Sequence, residues 1–188
     1  MDFSTWARRR FLATSLCAVA MASSPGIAST ETRAPTKLAV FEFELDDFSA
    51  GGPLAGESPE ETARLRRMTR EARETLAKSG LFEIVDVAPA TDEAVKTHWL
   101  RNCNGCEADV ARRLGADMSF IAFYRKISVM EQSLQFRIRD ARTGELLNVS
   151  QTDYRGETDE SWSRAIAWLI RHRLVEPELK RRGGEAAP

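Results

Sequence analysis

The most reactive side chains in the sequence are a cysteine pair, Cys103 and Cys106, separated by two residues. Between them lie Asn104 and Gly105, a pair that favours a tight turn and lets the two thiols meet across it. Cys106 would lie near the amino end of a following helix, where exposed amide N–H groups and the helix dipole stabilise a thiolate. The spacing therefore allows a redox-active dithiol as well as a small local disulfide.

The residues around the pair favour the disulfide over redox chemistry. A thioredoxin-like dithiol follows a strand, whereas this pair follows a predicted helix and a polar stretch, and no cis-proline partner is identifiable. Glu107 stands where the c-type haem attachment motif has histidine, which excludes that motif. A bridge across so short a loop removes little chain entropy and would mainly order the turn. We expect Asn104, Gly105, Glu107 and Asp109 of this turn to contact a binding partner.

Carboxylates alternate along the first predicted strand, at Glu42, Glu44 and Asp46. Alternate residues of a strand share one face of a sheet, and clustered carboxylate oxygens are the ligands that a hard cation such as Ca²⁺ requires. Arginines alternate in the same way on later predicted strands, at Arg125, Arg137 and Arg139. Cross-strand ion pairs on an open sheet face would use all of these side chains without any ligand. We expect the ion pairs, and a metal site on the three carboxylates is the alternative.

A zinc site would have to combine the cysteine pair with His98, His172 or a nearby carboxylate. Zinc sites normally have four ligands in recognisable pairs, and the sequence offers one such pair. The chain contains only these two histidines, and neither has a setting typical of a catalytic triad. It also has no glycine-rich phosphate loop and no Gly-x-Ser-x-Gly elbow. The sequence thus predicts neither a catalytic residue nor a cofactor.

The last predicted helix carries two tryptophans, Trp162 and Trp168, which are six residues apart and cannot share one helix face. We expect one of them in the core and the other at the surface. Tryptophan and arginine are enriched at the hot spots of protein interfaces. Trp168, with Arg164 and Arg171, is therefore a second candidate binding surface.

The amino-terminal residues have the pattern of a bacterial export signal. A twin-arginine core at 8–12 precedes an apolar run at 13–22 and a small-residue cleavage site. The run is shorter than the about 20 apolar residues that a membrane span needs. We expect a twin-arginine-type signal peptide at 1–28, a flexible leader at 29–36 and a soluble mature protein in the periplasm.

The charge of the mature chain argues against nucleic acid and membrane surfaces as partners. The full sequence has 27 basic and 28 acidic residues, and the signal takes away three arginines and one aspartate, which leaves a formal net charge of −3. A mildly acidic domain lacks the basic patch that binds phosphate backbones or anionic lipid. The periplasm also permits disulfides, which agrees with a bridge between Cys103 and Cys106.

Hydrophobic periodicity and capping residues predict the order β-α-β-α-α-β-β-β-α. In that order the predicted elements are a strand at 37–47, a helix from Ser58 to Gly80, a strand at 81–87, helices at 91–100 and 107–114, strands at 118–129, 133–141 and 146–154, and a helix at 159–175 capped by Thr158.

This order predicts an α+β fold in which a mixed sheet of about five strands packs against helices as a two-layer sandwich. In the first strand, Phe41, Phe43 and Leu45 are expected to point to the core, and the alternating carboxylates away from it. A single domain would cover 37–177, followed by a disordered tail at 178–188.

Four segments together resemble a family of small exported bacterial proteins classed as a domain of unknown function (2380/3280 type). They are Leu38-Ala39-Val40-Phe41-Glu42-Phe43-Glu44-Leu45-Asp46-Asp47, Cys103-Asn104-Gly105-Cys106-Glu107-Ala108-Asp109, Arg112-Arg113-Leu114-Gly115-Ala116-Asp117 and Thr158-Asp159-Glu160-Ser161-Trp162. The resemblance covers nearly the whole mature chain and implies no established activity.

The layout is more distantly similar to the amino-terminal domain of the Tol-system protein B and to the curli-secretion lipoprotein G. The shared features are a "Gly-Ala-Asp" strand, here Gly115-Ala116-Asp117, and an "Arg-Asp-x-x-Thr-Gly" turn, here Arg139-Asp140-Ala141-Arg142-Thr143-Gly144. This resemblance implies an envelope assembly or interaction module rather than an enzyme.

We therefore expect a periplasmic accessory protein that binds an envelope protein or a small ligand and performs no catalysis. Two alternatives from other classes stay open. One is a thiol-redox protein that uses Cys103 and Cys106, and the other is a metal-binding protein that uses the acidic first strand.

Overall fold

The structure is a computed structural model that describes residues 34–128 and 130–185. The predicted signal peptide and residues 29–33 of the predicted leader lie outside the described residues. In chain order the elements are β1 (Thr36–Val40), β2 (Glu44–Asp47), α1 (Gly52–Ala55), α2 (Pro59–Lys78), β3 (Phe82–Val85), α3 (Glu93–Lys96), a 3₁₀-helix (Leu100–Asn102), α4 (Cys106–Arg113), β4 (Met118–Ser128), β5 (Glu131–Asp140), β6 (Leu146–Tyr154), α5 (Asp159–Ile170), a π-helical turn (Arg171–Val175) and α6 (Glu176–Glu185).

The six strands form one mixed sheet with the order β3-β1-β4-β5-β6, and β2 pairs with β4 beyond the end of β1. β1 runs parallel to β3 and β4, and β2 also runs parallel to β4. β4, β5 and β6 form an antiparallel meander. The predicted α+β class and mixed sheet are confirmed, with a sixth strand because the first predicted strand is divided into β1 and β2.

The break between β1 and β2 reverses part of the predicted pattern of side chains. Phe41 packs in a cluster with Ala39, whereas Phe43 joins the main core, so the prediction that these two rings point the same way is wrong. Side chains of α2 bind the backbone at the break. The guanidinium of Arg73 donates to the Val40 carbonyl oxygen at 2.7 Å, and the Phe43 N–H donates to the Thr69 hydroxyl at 3.0 Å.

The main core lies between one face of the sheet and the helices α2 and α5. Ser58 and Glu61 form the capping box that begins α2, as the sequence predicts. From α5, the buried Trp162 stacks on Tyr124 of β4 with ring centroids 3.9 Å apart. Burying each large apolar side chain contributes on the order of 1.5–3 kcal/mol, so the packing of these two helices on the sheet is a main source of stability.

A smaller apolar cluster covers part of the opposite face of the sheet. Val110 of α4 and Leu100 of the 3₁₀-helix pack there against Ala39, Phe41 and Ile121. The β5–β6 side of this face carries partly exposed side chains, in agreement with the prediction that one face is partly open to water. The residues before and after the cysteine pair are therefore held against the sheet.

The carboxyl-terminal helix continues beyond its predicted end. Residues 178–185, expected to be a disordered tail, are helical in α6. Helical backbone continues from α5 through the π-helical turn into α6, and Pro177 directly follows the wider hydrogen bonding of that turn, in which the Glu176 N–H donates to the Arg171 carbonyl oxygen. The Arg182 side chain anchors α6, since it pairs with Glu178 at 2.9 Å and donates to the Leu81 carbonyl oxygen at 3.3 Å.

Replacement of Thr69 by valine should destabilise the fold through the break between β1 and β2. Valine has nearly the shape of threonine, but it leaves the buried Phe43 N–H without an acceptor, which costs about 1–3 kcal/mol. Thr75→Val is the matched control, since Thr75 makes the same helical bond to a carbonyl four residues earlier without reaching a strand. Urea unfolding of both variants measures the difference, and equal losses would contradict this account of the break.

Glu61 should contribute stability that is lost in acid. Burial raises the pKa of Glu61, but hydrogen bonds from the Ser58 N–H and from Lys126 (3.0 Å) outweigh it and hold the pKa below the ordinary 4.5. A carboxyl with a depressed folded pKa stabilises the fold above its unfolded pKa and loses this effect as the pH falls through the folded value.

The free energy of unfolding of the wild type should therefore fall below about pH 4.5, and less steeply in Glu61→Gln. Urea unfolding between neutral pH and pH 3 measures both slopes. Glu60→Gln, at an exposed position of the same helical turn, should keep the wild-type slope. A wild-type slope in Glu61→Gln would show that this carboxyl does not contribute.

Candidate functional site

Cys103 and Cys106 form a disulfide across a tight turn, with their Cα atoms 5.6 Å apart. The two residues between them both have left-handed backbone conformations, Asn104 with φ 53° and Gly105 with φ 111°. Asparagine and glycine are the residue types that adopt this region at least cost, which explains their use here. The bridge joins the end of the 3₁₀-helix to the first residue of α4. We call residues 98–109 the cysteine turn.

Glu107 anchors the α4 side of the cysteine turn to the sheet. Its carboxylate is buried, and Oε1 accepts a hydrogen bond from Nε of Arg139 on β5 at 2.9 Å. Arg139 also donates to the Gly144 carbonyl oxygen in the β5–β6 turn at 2.9 Å. The other carboxylate oxygen of Glu107 lies 3.6 Å from Sγ of Cys103. This ion pair therefore fixes the turn to β5 and to the hairpin that follows it.

Glu44 anchors the other side of the cysteine turn. Its Oε1 accepts from the Leu100 N–H at 2.7 Å, and its Oε2 accepts from the Arg101 N–H at 3.2 Å and from Nη1 of Arg101 at 2.9 Å. The same Nη1 donates to the His98 carbonyl oxygen. A carboxylate buried this deeply needs such partners, because its desolvation is otherwise costly. The 3₁₀-helix is thereby fastened to β2.

The three carboxylates of the predicted metal site do not share one free face. Glu42 lies at the break before β2 and pairs with Arg73 of α2 at 3.2 Å. Asp46 accepts two hydrogen bonds from Arg125 on β4, at 2.9 and 3.0 Å. Since the oxygens of Glu44 are also occupied, arginines contact all three side chains. Arg137 was predicted to form a cross-strand ion pair with these carboxylates, but it donates instead to the Arg101 carbonyl oxygen at 3.1 Å.

Within residues 34–128 and 130–185, one group of three potential metal-ligating atoms lies within 4.8 Å, on Cys103, Cys106 and Glu107. The two sulfur atoms are bonded to each other, and the carboxylate is paired with Arg139. A metal ion would need both cysteines reduced and the ion pair opened. His172, a candidate fourth ligand, pairs with Glu176 beyond α5, with Nδ1 2.9 Å from Oε2.

Trp168 lies apart from the cysteine turn, on α5 and therefore on the other side of the sheet. Trp162 is buried and Trp168 is 43% exposed, as their spacing predicts. The Trp168 ring lies 5.1 Å from the His172 ring and 5.6 Å from the Arg173 guanidinium. Arg171 is paired with Glu176 at 3.0 Å. The structure thus leaves the two predicted binding surfaces separate.

The residues just before the disulfide, 98–101, belong to the candidate surface but were not predicted from the sequence. Trp99 is 53% exposed, and the Arg101 guanidinium lies 5.3 Å from its ring. His98 and Asn104, both with φ 53°, are the two non-glycine residues with positive φ in the described part of the chain. The pattern Trp99-Leu100-Arg101, with a buried leucine between two large side chains, is too short and irregular to show a helical or strand periodicity.

The fold and this site define a class of protein, a small α+β domain with a disulfide turn held by buried ion pairs. Residues 36–174 match the family described as "Protein of unknown function (DUF2380)", and the chain belongs to that family. No curated protein matches the sequence. No helix in the described residues is both long enough and apolar enough to cross a membrane.

Several solved structures from bacteria have a distantly similar fold. Lipoprotein GNA1162 from Neisseria meningitidis is 15% identical, with 77% of this chain and 97% of that chain covered and a TM-score of 0.46. The LpoB C-terminal domain from Salmonella enterica is 17% identical, with 65% and 84% covered and a TM-score of 0.44. The PelC dodecamer from Paraburkholderia phytofirmans is 15% identical, with 73% and 86% covered and a TM-score of 0.46. At these values the likeness carries no argument about function.

Breaking the buried ion pair should destabilise the protein more than removing the disulfide does. Arg139→Met leaves the Glu107 carboxylate buried without its partner, which costs about 3–5 kcal/mol. Cys103→Ala/Cys106→Ala opens a loop so short that chain entropy accounts for only about 2 kcal/mol.

Urea unfolding of both variants measures this order. The double variant Arg139→Met/Glu107→Leu should recover part of the loss, because no unpaired charge then remains buried. If the cysteine variant loses more free energy of unfolding than Arg139→Met does, the ion pair is not the stronger of the two constraints on the turn.

Proposed function

We propose that this chain is an exported accessory protein that works in the periplasm by binding an envelope protein, and that it performs no catalysis. The observation that carries the proposal is the cysteine turn, a rigid surface segment that exposes recognition side chains. The predicted export signal supports the compartment.

The rigidity of the cysteine turn comes from three independent constraints. The Glu44–Arg101 contacts hold its beginning, the disulfide closes its middle, and the Glu107–Arg139 pair holds its end. A segment that is ordered before binding loses little conformational entropy on binding, which increases affinity. These constraints also hold Asn104 and Gly105 in their left-handed conformations.

The side chains that the cysteine turn exposes are suited to protein recognition. Trp99 presents half of its surface to solvent, and tryptophan is enriched at interface hot spots. Asn104 and Asp109 are also exposed. Asn104 offers an amide, and Asp109 offers a carboxylate that pairs with Arg112 of the same helix at 3.1 Å. By contrast, the carboxylates of Glu44 and Glu107 are buried and contacted by arginines, so they are not part of the exposed surface of the turn.

A thiol-redox function is the second candidate, because the disulfide lies at the amino end of α4. Against it, the buried Glu107 carboxylate lies 3.6 Å from Sγ of Cys103 and would repel a thiolate there. The redox candidate predicts that Cys103→Ser traps a mixed disulfide between Cys106, the first residue of α4, and a partner. The binding proposal predicts no such adduct.

Photo-crosslinking from the cysteine turn tests the proposed function. In cells that export the full chain, benzoylphenylalanine placed at position 99 should crosslink one envelope protein. The same group at Leu54, a 95% exposed position of α1, is the control and should give no such product.

Two variants then test whether the turn itself makes the contact. Asn104→Gly removes the amide but keeps the left-handed backbone, and Asp109→Ala removes the carboxylate. Each should weaken binding of the crosslinked partner by about tenfold, which corresponds to 1.4 kcal/mol. Equal crosslinking from positions 99 and 54, or unchanged affinity in both variants, would contradict the role of the cysteine turn.

A further inference from the structure

The outermost strand β6 presents an open edge. It pairs with β5 on one side, and no strand of the described residues pairs with its other side. Natural sheets block such edges with proline, lysine or inward-pointing charges. β6, with the sequence Leu-Leu-Asn-Val-Ser-Gln-Thr-Asp-Tyr, has no proline or lysine and a single charged residue, Asp153. Its backbone groups are therefore available to an added strand.

Trp168 and a cavity lie beside this edge. The cavity has a volume of about 510 Å³, and β6 residues Thr152 to Tyr154 line it together with Arg164 and Trp168 of α5. Trp168 is 43% exposed there, although α5 otherwise buries its apolar side chains against the core. A strand added to β6 would therefore pass next to the Trp168 ring.

The charges around Trp168 favour an acidic occupant. Arg155, Arg164 and Arg173 are all exposed, and none of them has an ion-pair partner in the described residues. Asp153 is the one carboxylate that lines the cavity, and its Oδ1 accepts a hydrogen bond from Gln151 at 3.2 Å. The cavity lining thus has two unpaired arginines and one aspartate, and Arg173 adds a third positive charge over the Trp168 ring. This surface is therefore positive on a chain whose overall charge is negative.

The two faces of β6 differ in a way that specifies the side chains of the occupant. Ser150 lies opposite Phe136 and faces the core and α5, whereas Val149 lies opposite Arg137 on the other face of the sheet. Val149 is 47% exposed, so an added strand would meet apolar surface on that face and arginines with Trp168 on the α5 face. Alternate residues of a strand point to opposite faces.

We infer that the β6 edge binds an extended segment of a partner protein in which acidic and apolar residues alternate. Backbone hydrogen bonds to β6 supply affinity, and the arginines with Trp168 select the acidic residues. A second copy of this chain does not fit, because Asp153 is the single acidic residue of its β6 and shares the Val149 face of the sheet rather than the α5 face. The inference rests on the proposed function in one respect, that the protein acts by binding, and it adds the chemistry of a partner.

A fluorescein-labelled peptide of alternating aspartate and valine tests this inference with the full mature chain. Fluorescence anisotropy should show saturable binding that weakens as salt is added. A peptide with lysine in place of aspartate, and one with alternate backbone nitrogens methylated, should both bind at least about tenfold more weakly. Hydrogen exchange of the β6 amides should slow when the aspartate peptide is bound.

Variants locate the contact. Trp168→Ala and Arg164→Glu should each reduce affinity at least about tenfold. Arg66→Glu, the same charge reversal at an exposed position of α2, is the matched control and should change affinity little. Absence of saturable binding, equal binding of the lysine peptide, or equal effects of Arg164→Glu and Arg66→Glu would each overturn the inference.

Crosslinking from position 99 separates this result from the proposed function, because the cysteine turn lies on the other face of the sheet. If the aspartate peptide does not bind but position 99 still crosslinks its partner, the β6 inference alone is overturned. Peptide binding without crosslinking would remove the cysteine turn from the proposed function and leave the β6 edge as the binding surface.

Discussion

The candidate site depends on the hydrogen bonds that the buried carboxylate of Glu44 accepts. A carboxylate removed from water is tolerated only when its oxygens accept hydrogen bonds, and those of Glu44 accept them from Leu100 and Arg101. Two of these bonds come from backbone N–H groups, so they fix the path of the main chain as well as a side chain. The 3₁₀-helix is held on β2 as a result, and it sets where the cysteine turn begins.

Two ion pairs join the cysteine turn to the sheet. The Glu44–Arg101 pair lies before the bridge and the Glu107–Arg139 pair lies after it, and each joins the turn to a different strand. The disulfide closes a loop of only a few residues and does not join the turn to a strand. Its contribution is to hold Asn104 and Gly105 in a left-handed conformation at the surface.

The sheet separates two surfaces of different character. The cysteine turn is irregular, rigid and exposes Trp99, whereas the β6 edge offers backbone groups beside Trp168. α5 packs on the core face, and the cysteine turn contacts the opposite face, so one surface stays accessible when the other is occupied. This arrangement suits a protein that makes contacts on both sides of a small domain.

The sequence by itself determined most of the elements, because their signals are local. The capping box of Ser58, the cap at Thr158 and the alternating apolar residues of β5 each involve residues within a few positions of one another. Tertiary structure alone decided the break after β1 and the pairing of Glu44 with Arg101, which are separated by 57 residues. Thr69 and Arg73 bind the backbone between β1 and β2 from α2, which is distant in sequence. A buried charge is tolerated because of its partner, and the fold alone shows which residue that partner is.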